Sequence, residues 1–132
     1  MCIRDRLGSI KLSHANFNNE IGVGLTILAT DIEDKVLVLE MGMRGLGQIE
    51  NLSKYSEPDI AVITNIGTAH IGLLGSKKNI TYAKCEISKY LNPEGVVIMA
   101  ISGSLYLDKF SICPRPLIPI SRTKTLLSLI HI

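Results

Sequence analysis

Three short apolar runs constrain the fold of this chain more than any other feature of its sequence. They are Val36-Leu37-Val38-Leu39, Ile60-Ala61-Val62-Ile63 and Val96-Val97-Ile98-Met99, and none of them alternates apolar with polar residues. A strand with one solvated face alternates, whereas a strand covered on both faces is continuously apolar, as in parallel sheets. The runs therefore predict strands of a parallel sheet that is buried on both sides.

Helical patterns lie between these runs. A helix is predicted over Ile21–Ala29, with Asn18 or Asn19 as its N-cap. Two further segments show apolar residues at helical spacing: Ile49, Leu52 and Tyr55 before Pro58, and then Ile80, Ala83, Ile87 and Leu91. Because helices alternate with strands, we predict an α/β fold with three layers, a mainly parallel sheet with flanking helices.

The length of 132 residues suits one domain and is too short for two. We expect residues 8–110 to form that domain and interpret residues 1–7, which show no periodicity, as a foreign tail. Residues 111–132 contain a Pro-rich stretch and are interpreted as an unassigned, foreign or misread tail, so roughly 125–132 is excluded from fold reasoning. If the ends are genuine instead, the last segment is expected to be a short apolar strand.

Composition and charge argue against several classes of protein. The net charge is +2, but residues 7–108 hold 8 basic and 11 acidic residues and only few aromatics, which is not the pattern of a nucleic-acid surface. No apolar run approaches the ~20 residues of a membrane span, and we expect none. Three widely spaced cysteines suit neither a disulfide framework nor a zinc site. We therefore expect a cytoplasmic protein.

Polar residues follow two of the predicted strands, at the edge where parallel sheets bind ligands. Glu40 ends the first run and a glycine-rich loop follows it, while the segment from Thr64 to His70 follows the second run. A carboxylate after a buried strand needs a partner or a metal, and Mg²⁺ prefers such oxygen ligands. The alternatives are that Glu40 is a solvated strand end and that His70 is a structural histidine.

Lys84 falls within the apolar stripe of the third predicted helix. Lysine is almost never fully buried without a partner. Either Lys84 lies at the edge of the stripe and extends to water, or it points into a site where it binds phosphate or is chemically modified. Cys85 lies off the stripe without an evident His or Asp partner, which favours an inert thiol. A phosphate loop of the form GxxxxGK[ST] does not occur in the chain.

Four ordered segments together resemble the central domain of the Mur ligase family. They are residues 16–23, 40–45, 63–70 and 83–87, and the resemblance covers roughly residues 9–100. The resemblance is to the members that join D-alanyl-D-alanine to UDP-N-acetylmuramoyl-tripeptide. It implies an ATP-dependent, amide-forming ligase of peptidoglycan synthesis that acts through an acyl phosphate, with those two substrates as its partners.

The resemblance also implies roles for individual residues. Glu40 corresponds to a Mg²⁺ ligand and His70 to a ligand of a second Mg²⁺. Lys84 corresponds to the lysine that CO₂ carbamylates, which turns a cation into a carboxylate able to hold the second metal. Asn18 and Asn19 correspond to residues on the UDP-muramoyl-peptide side. A further asparagine, Asn65, lies beside the metals and is expected on the nucleotide side.

The chain also departs from the family pattern. Its phosphate loop and its two terminal domains are missing from these residues, so we expect the 132-residue chain alone to be an inactive fragment. The segment after Met99 lacks the Asn-x-Asp motif expected there. Two alternatives stay open, a ligase like folylpolyglutamate synthase and a non-catalytic α/β binding module.

Overall fold

The computed structural model describes residues 9–99 and the backbone of residues 127–130. The predicted tail 1–7, the end of the predicted domain (100–110) and most of the predicted tail 111–132 lie outside the described residues. The described part is an α/β fold in which every pair of neighbouring strands is parallel. The predicted fold class is confirmed.

In the described part of the chain, five strands form one sheet: β1 Ile10–Leu12, β2 Val36–Glu40, β3 Ile60–Ile63, β4 Val96–Met99 and β5 Leu127–Ile130. Strands β2, β3 and β4 match the three apolar runs of the sequence. Strand β1 lies beside β2 at one edge of the sheet, and β5 lies between β2 and β3. The spatial order of the strands is β1-β2-β5-β3-β4, and all neighbours are parallel. The carboxyl ends of the strands therefore all lie along one edge of the sheet, where ligands of parallel sheets bind.

Strand β5 occupies the centre of the sheet, between β2 and β3. Leu129 lies opposite Glu40 on one side and opposite Val62 on the other. This segment falls within the region that sequence reasoning excluded as a foreign tail. The backbone of Leu127–Ile130 forms a strand, as the alternative of a genuine end expected, and the assignment of residues 111–132 to a tail stays a prediction.

Between residues 9 and 99, four helices and one 3₁₀ turn lie between the strands. They are α1 Glu20–Leu28, α2 Gln48–Ser56, α3 Ile71–Leu74, α4 Lys77–Cys85 and the 3₁₀ turn Glu86–Ser88. The predicted N-cap of α1 is confirmed at Asn19, whose side chain accepts a hydrogen bond from the Gly22 N–H at 2.8 Å. At the start of α4, Ser76 accepts in the same way from the Asn79 N–H.

The core lies between the sheet and the helices. Leu37 and Leu39 of β2 are buried while Val36 and Val38 are half-buried, so the second face of the strand is only partly covered, and the expectation of full burial on both faces is wrong for β2. The four residues of the predicted helix stripe, Ile80, Ala83, Ile87 and Leu91, are buried. The α-helix is shorter than predicted, because α4 ends at Cys85, Ile87 lies in the 3₁₀ turn and Leu91 lies beyond it. Tyr55, in contrast, is exposed.

The helices are short. Within the described part of the chain, none has the length and apolar character that crossing a membrane requires.

Candidate active site

Glu40 is the last residue of β2, and its carboxylate is held by a loop that follows β1. The Asn18 side chain donates from Nδ2 to Oε1 of Glu40 at 3.1 Å. The Glu40 backbone N–H donates to Ser13 Oγ at 3.0 Å. Glu40 is half-buried, so its carboxylate is fixed by an amide while keeping access to solvent. The Glu40 carboxylate therefore has a hydrogen-bond partner within the chain, and its assignment as a metal ligand stays a prediction.

The loop from Ser13 to Asn19 lies over the end of β2. The Ser13 N–H donates to Val38 O at 3.0 Å, and the Gly42 N–H donates to Asn18 O at 2.7 Å. Asn19 is used as the helix cap described above. Both asparagine side chains thus have partners within the chain, and their assignment to substrate binding stays a prediction.

Lys84 lies in α4 and is only 4% exposed. Its Nζ donates to the backbone oxygen of Asn65, just after β3. Burial lowers the pKa of the Lys84 amine below its ordinary value. The amine therefore points to the carboxyl edge of the sheet, and the alternative in which Lys84 extends to water is wrong. A lowered pKa enlarges the fraction of neutral amine, which is the form that can attack an electrophile such as CO₂.

His70 precedes the short helix α3 in a left-handed conformation, with φ of +63°. Its backbone oxygen accepts hydrogen bonds from the N–H groups of Leu73 and Leu74, both at 3.0 Å. Such a conformation is costly for a residue with a side chain and is concentrated at functional sites. The side chain is half-buried.

The structure brings the predicted residues together in two groups. Asn18 contacts Glu40 at the end of β2, and Lys84 contacts Asn65 beyond the end of β3. Glu40 and Val62 share the partner Leu129 in β5, so two strand spacings of about 4.8 Å place their Cα atoms roughly 10 Å apart. Both groups lie on the same edge of the sheet.

Few side chains at this edge of the sheet could act as ligands of a metal ion. Among residues 9–99 no group of three or more His, Cys, Asp or Glu side chains is placed to hold a metal ion. The assignment of His70 to a metal stays a prediction. The single carboxylate still fits Mg²⁺, which proteins commonly hold with one or two carboxylates while substrate phosphates and waters complete the shell.

Sequence reasoning missed Glu86, which links the two groups. Its buried carboxylate accepts from the Gly47 N–H at 2.8 and 2.9 Å and from the Glu50 N–H at 3.4 Å. Gly47 is the N-cap of α2 and has no side chain to cap the helix, so Glu86 supplies the acceptor. The loop after Glu40 is thereby tied to the segment that carries Lys84. No local pattern signals a contact across 39 residues.

Comparison with known proteins decides the family. The family model of the Mur ligase middle domain matches residues 4–111. The chain belongs to the Mur ligase family. Two curated members named UDP-N-acetylmuramoyl-tripeptide--D-alanyl-D-alanine ligase are similar to it. That of Bacillus subtilis is 51% identical over 96 residues, which is 73% of this chain. That of Synechocystis is 42% identical over 106 residues, or 80% of this chain.

Solved structures of the family agree with the fold. A crystal structure of MurF from Acinetobacter baumannii has a TM-score of 0.77 and 33% identity over 84% of this chain. MurF from Thermotoga maritima in complex with ADP has a TM-score of 0.67 and 32% identity over 74% of the chain. This Mur ligase chain spans only 21% and 23% of the two curated relatives, and 24% and 23% of the two crystallised chains.

Proposed function

We propose that this chain belongs to a cytoplasmic ligase that uses ATP to join D-alanyl-D-alanine to UDP-N-acetylmuramoyl-tripeptide. The observation that carries the proposal is the buried amine of Lys84 at the carboxyl edge of the sheet, on the same edge as the anchored carboxylate of Glu40. The names of the relatives support the substrates, and the ADP complex of one of them supports the nucleotide.

The chemistry to be performed brings two anions together. The substrate carboxylate attacks the γ-phosphorus of ATP, which forms an acyl phosphate and releases ADP; the amine of the dipeptide then displaces phosphate and forms the amide. Mg²⁺, when bound, neutralises and aligns these anions. We assign Glu40 to one Mg²⁺, and His70 together with Lys84 to a second. Asn65 would face the nucleotide, and the loop of Asn18 and Asn19 would line the muramoyl-peptide side.

A protonated lysine is a cation and does not bind Mg²⁺, so Lys84 can become a metal ligand only after it is modified. The neutral Nζ of Lys84 attacks the carbon of CO₂, a C–N bond forms, and the nitrogen releases a proton to solvent. The product is a carbamate, whose single negative charge is shared by two oxygens of the kind that Mg²⁺ prefers. We propose that Lys84 is carbamylated in the working enzyme. Its low exposure and lowered pKa support this assignment.

The 132 residues contain no GxxxxGK[ST] segment to cradle the phosphates. We propose that the chain on its own does not turn over ATP. Release of ADP that depends on both the tripeptide precursor and D-alanyl-D-alanine, measured with the purified chain, would overturn this part of the proposal.

The function itself is tested in a chimera. The matching 96 residues of the Bacillus subtilis ligase are exchanged for those of this chain, and amide formation is measured. We expect an active ligase, an inactive Lys84→Ala chimera, and partial recovery of that variant by short carboxylic acids that replace the carbamate. Lys78→Ala, which removes an exposed lysine, is the control and should stay active. An inactive but folded chimera would favour the non-catalytic α/β module, and an unaffected Lys84→Ala chimera would remove the carbamate.

A further inference from the structure

We propose that Asn18 is a positioning residue, which fixes the carboxylate of Glu40 in the orientation that binds a cation. We further propose that residue 42 is glycine because the Asn18 amide occupies the space of a β-carbon there. The inference rests on the proposed function in one respect, the assignment of Glu40 to Mg²⁺. It assigns Asn18 a task other than contact with the muramoyl peptide.

The hydrogen bond between these side chains connects two distant parts of the chain. Nδ2 of Asn18 lies 3.1 Å from Oε1 of Glu40, across 22 residues of sequence. A carboxylate has about four lone-pair sites. One amide donor therefore limits the rotation of the Glu40 side chain and leaves acceptor sites for a cation.

The chemistry of the donor suits a metal ligand. A lysine or arginine at position 18 would also orient Glu40, but its positive charge would oppose the binding of a cation. An amide donor carries no net charge, so the carboxylate keeps its full negative charge. Partners of this kind orient metal ligands, and their removal typically lowers metal affinity by about 10- to 100-fold.

The backbone holds Asn18 in place independently of its side chain. Its N–H donates to Asn16 O at 2.8 Å, and its oxygen accepts from the Gly42 N–H at 2.7 Å. Asn19 is fixed next to it as the cap of α1. The loop that carries Asn18 is therefore anchored on both sides of this residue, and it places the Asn18 side chain beside Glu40.

Gly42 gives a second observation on the same Asn18 side chain. A β-carbon built at Gly42 would lie 2.8 Å from Cγ, 2.9 Å from Oδ1 and 3.0 Å from Nδ2 of Asn18. These separations are shorter than van der Waals contact, so an alanine would displace the amide from Glu40. A β-carbon at Gly45, in the same loop, meets nothing within 4 Å. Gly45→Ala is thus a matched control for Gly42→Ala.

The first test measures binding of Mn²⁺, supplied as MnCl₂ alone, by paramagnetic broadening in NMR spectra of the 132-residue chain. Mn²⁺ takes the same hard oxygen ligands as Mg²⁺. We expect Asn18→Ala and Gly42→Ala to weaken binding by about tenfold or more, and Gly45→Ala to leave it unchanged. The double variant Asn18→Ala/Gly42→Ala should bind as Asn18→Ala does, because no amide remains for the added methyl group to displace.

The second test needs no metal. In the chain without Mn²⁺, Glu40→Ala should shift the NMR signals of the Asn18 side-chain amide, whereas Glu94→Ala should not. Absence of that shift, or wild-type affinity for Mn²⁺ in Asn18→Ala, would overturn the positioning role alone. If the unaltered chain shows no Mn²⁺ binding that Glu40→Ala removes, the metal assignment of the proposed function fails, and the role of Asn18 toward a cation fails with it.

Discussion

Lys84 shows how one buried side chain links stability to pH. Burial lowers its pKa from the ordinary value of 10.5, so the folded chain releases this proton at a lower pH than the unfolded chain. Between the two values the unfolded chain binds more protons, and stability therefore rises with pH. This contribution is fully present above 10.5 and is lost as the pH falls through the folded-state value.

The corresponding prediction compares the chain with its Lys84→Met variant, which has no amine to titrate. We expect the free energy of unfolding of the unaltered chain to increase relative to the variant between about pH 7 and about pH 10. Urea denaturation in CO₂-free buffer at both pH values measures the difference, and Lys78→Met controls for the loss of a lysine charge. A difference that shrinks with rising pH would contradict the burial of the amine.

At the scale of secondary structure, Glu86 determines how α2 begins. The first N–H groups of a helix have no partner within the helix, and Gly47 offers no side chain to cap them. The Glu86 carboxylate accepts from two of these N–H groups and is also placed well for the positive end of the helix dipole. The 3₁₀ turn after α4 thereby stabilises a helix that begins 39 residues earlier.

We predict that Glu86→Ala lowers the free energy of unfolding by about 1–3 kcal/mol, because the Gly47 and Glu50 N–H groups lose this acceptor. Glu86→Gln should cost less, since its amide oxygen can still accept. Urea denaturation of these two variants measures the effect, with Glu94→Ala as an exposed control. Equal stability of Glu86→Ala and Glu94→Ala would show that Glu86 does not cap α2.

The elements that could be predicted from sequence are those with a local signal. The stripe of Ile80 and Ala83 predicted the position of α4, although the α-helix ends at Cys85 and Ile87 lies in the 3₁₀ turn. The stripe left open whether Lys84 extends to water or points into a site. In α2 the same approach put Tyr55 on the apolar stripe with Ile49 and Leu52, but Tyr55 is exposed. Residues spaced by three drift about 60° per step around a helix of 100° per residue, so Tyr55 leaves the face of Ile49, whereas Ser53 stays near it and is fully buried.

Contacts between distant segments had no such signal. The bond between Asn18 and Glu40 and the cap from Glu86 to Gly47 each join residues more than 20 positions apart. Strand β1 has only three residues, Ile10–Leu12, which is too short for a pattern to be distinguished. The polar residues after the predicted strands indicated the edge of the sheet on which the candidate site was expected. Only the fold could indicate which side chains form hydrogen bonds with each other.

At the scale of the whole molecule, β5 determines whether the sheet is continuous. Its backbone pairs with β2 on one side and β3 on the other, in parallel on both. In the part of the chain that the structure describes, the pair β1–β2 and the pair β3–β4 are joined in the sheet through this strand. Glu40 ends β2 and Asn65 follows β3, so β5 also sets the spacing across the candidate site.

We therefore predict that Ser128→Pro destabilises the chain while Ser128→Ala changes little. Proline removes a ladder N–H from a strand that pairs on both sides, and losing one such hydrogen bond costs about 0.5–1.5 kcal/mol before any steric clash is added. Alanine leaves the backbone ladder intact. Urea denaturation of both variants gives the difference. If Ser128→Pro unfolds at the same urea concentration as Ser128→Ala, residues 127–130 contribute nothing to the sheet.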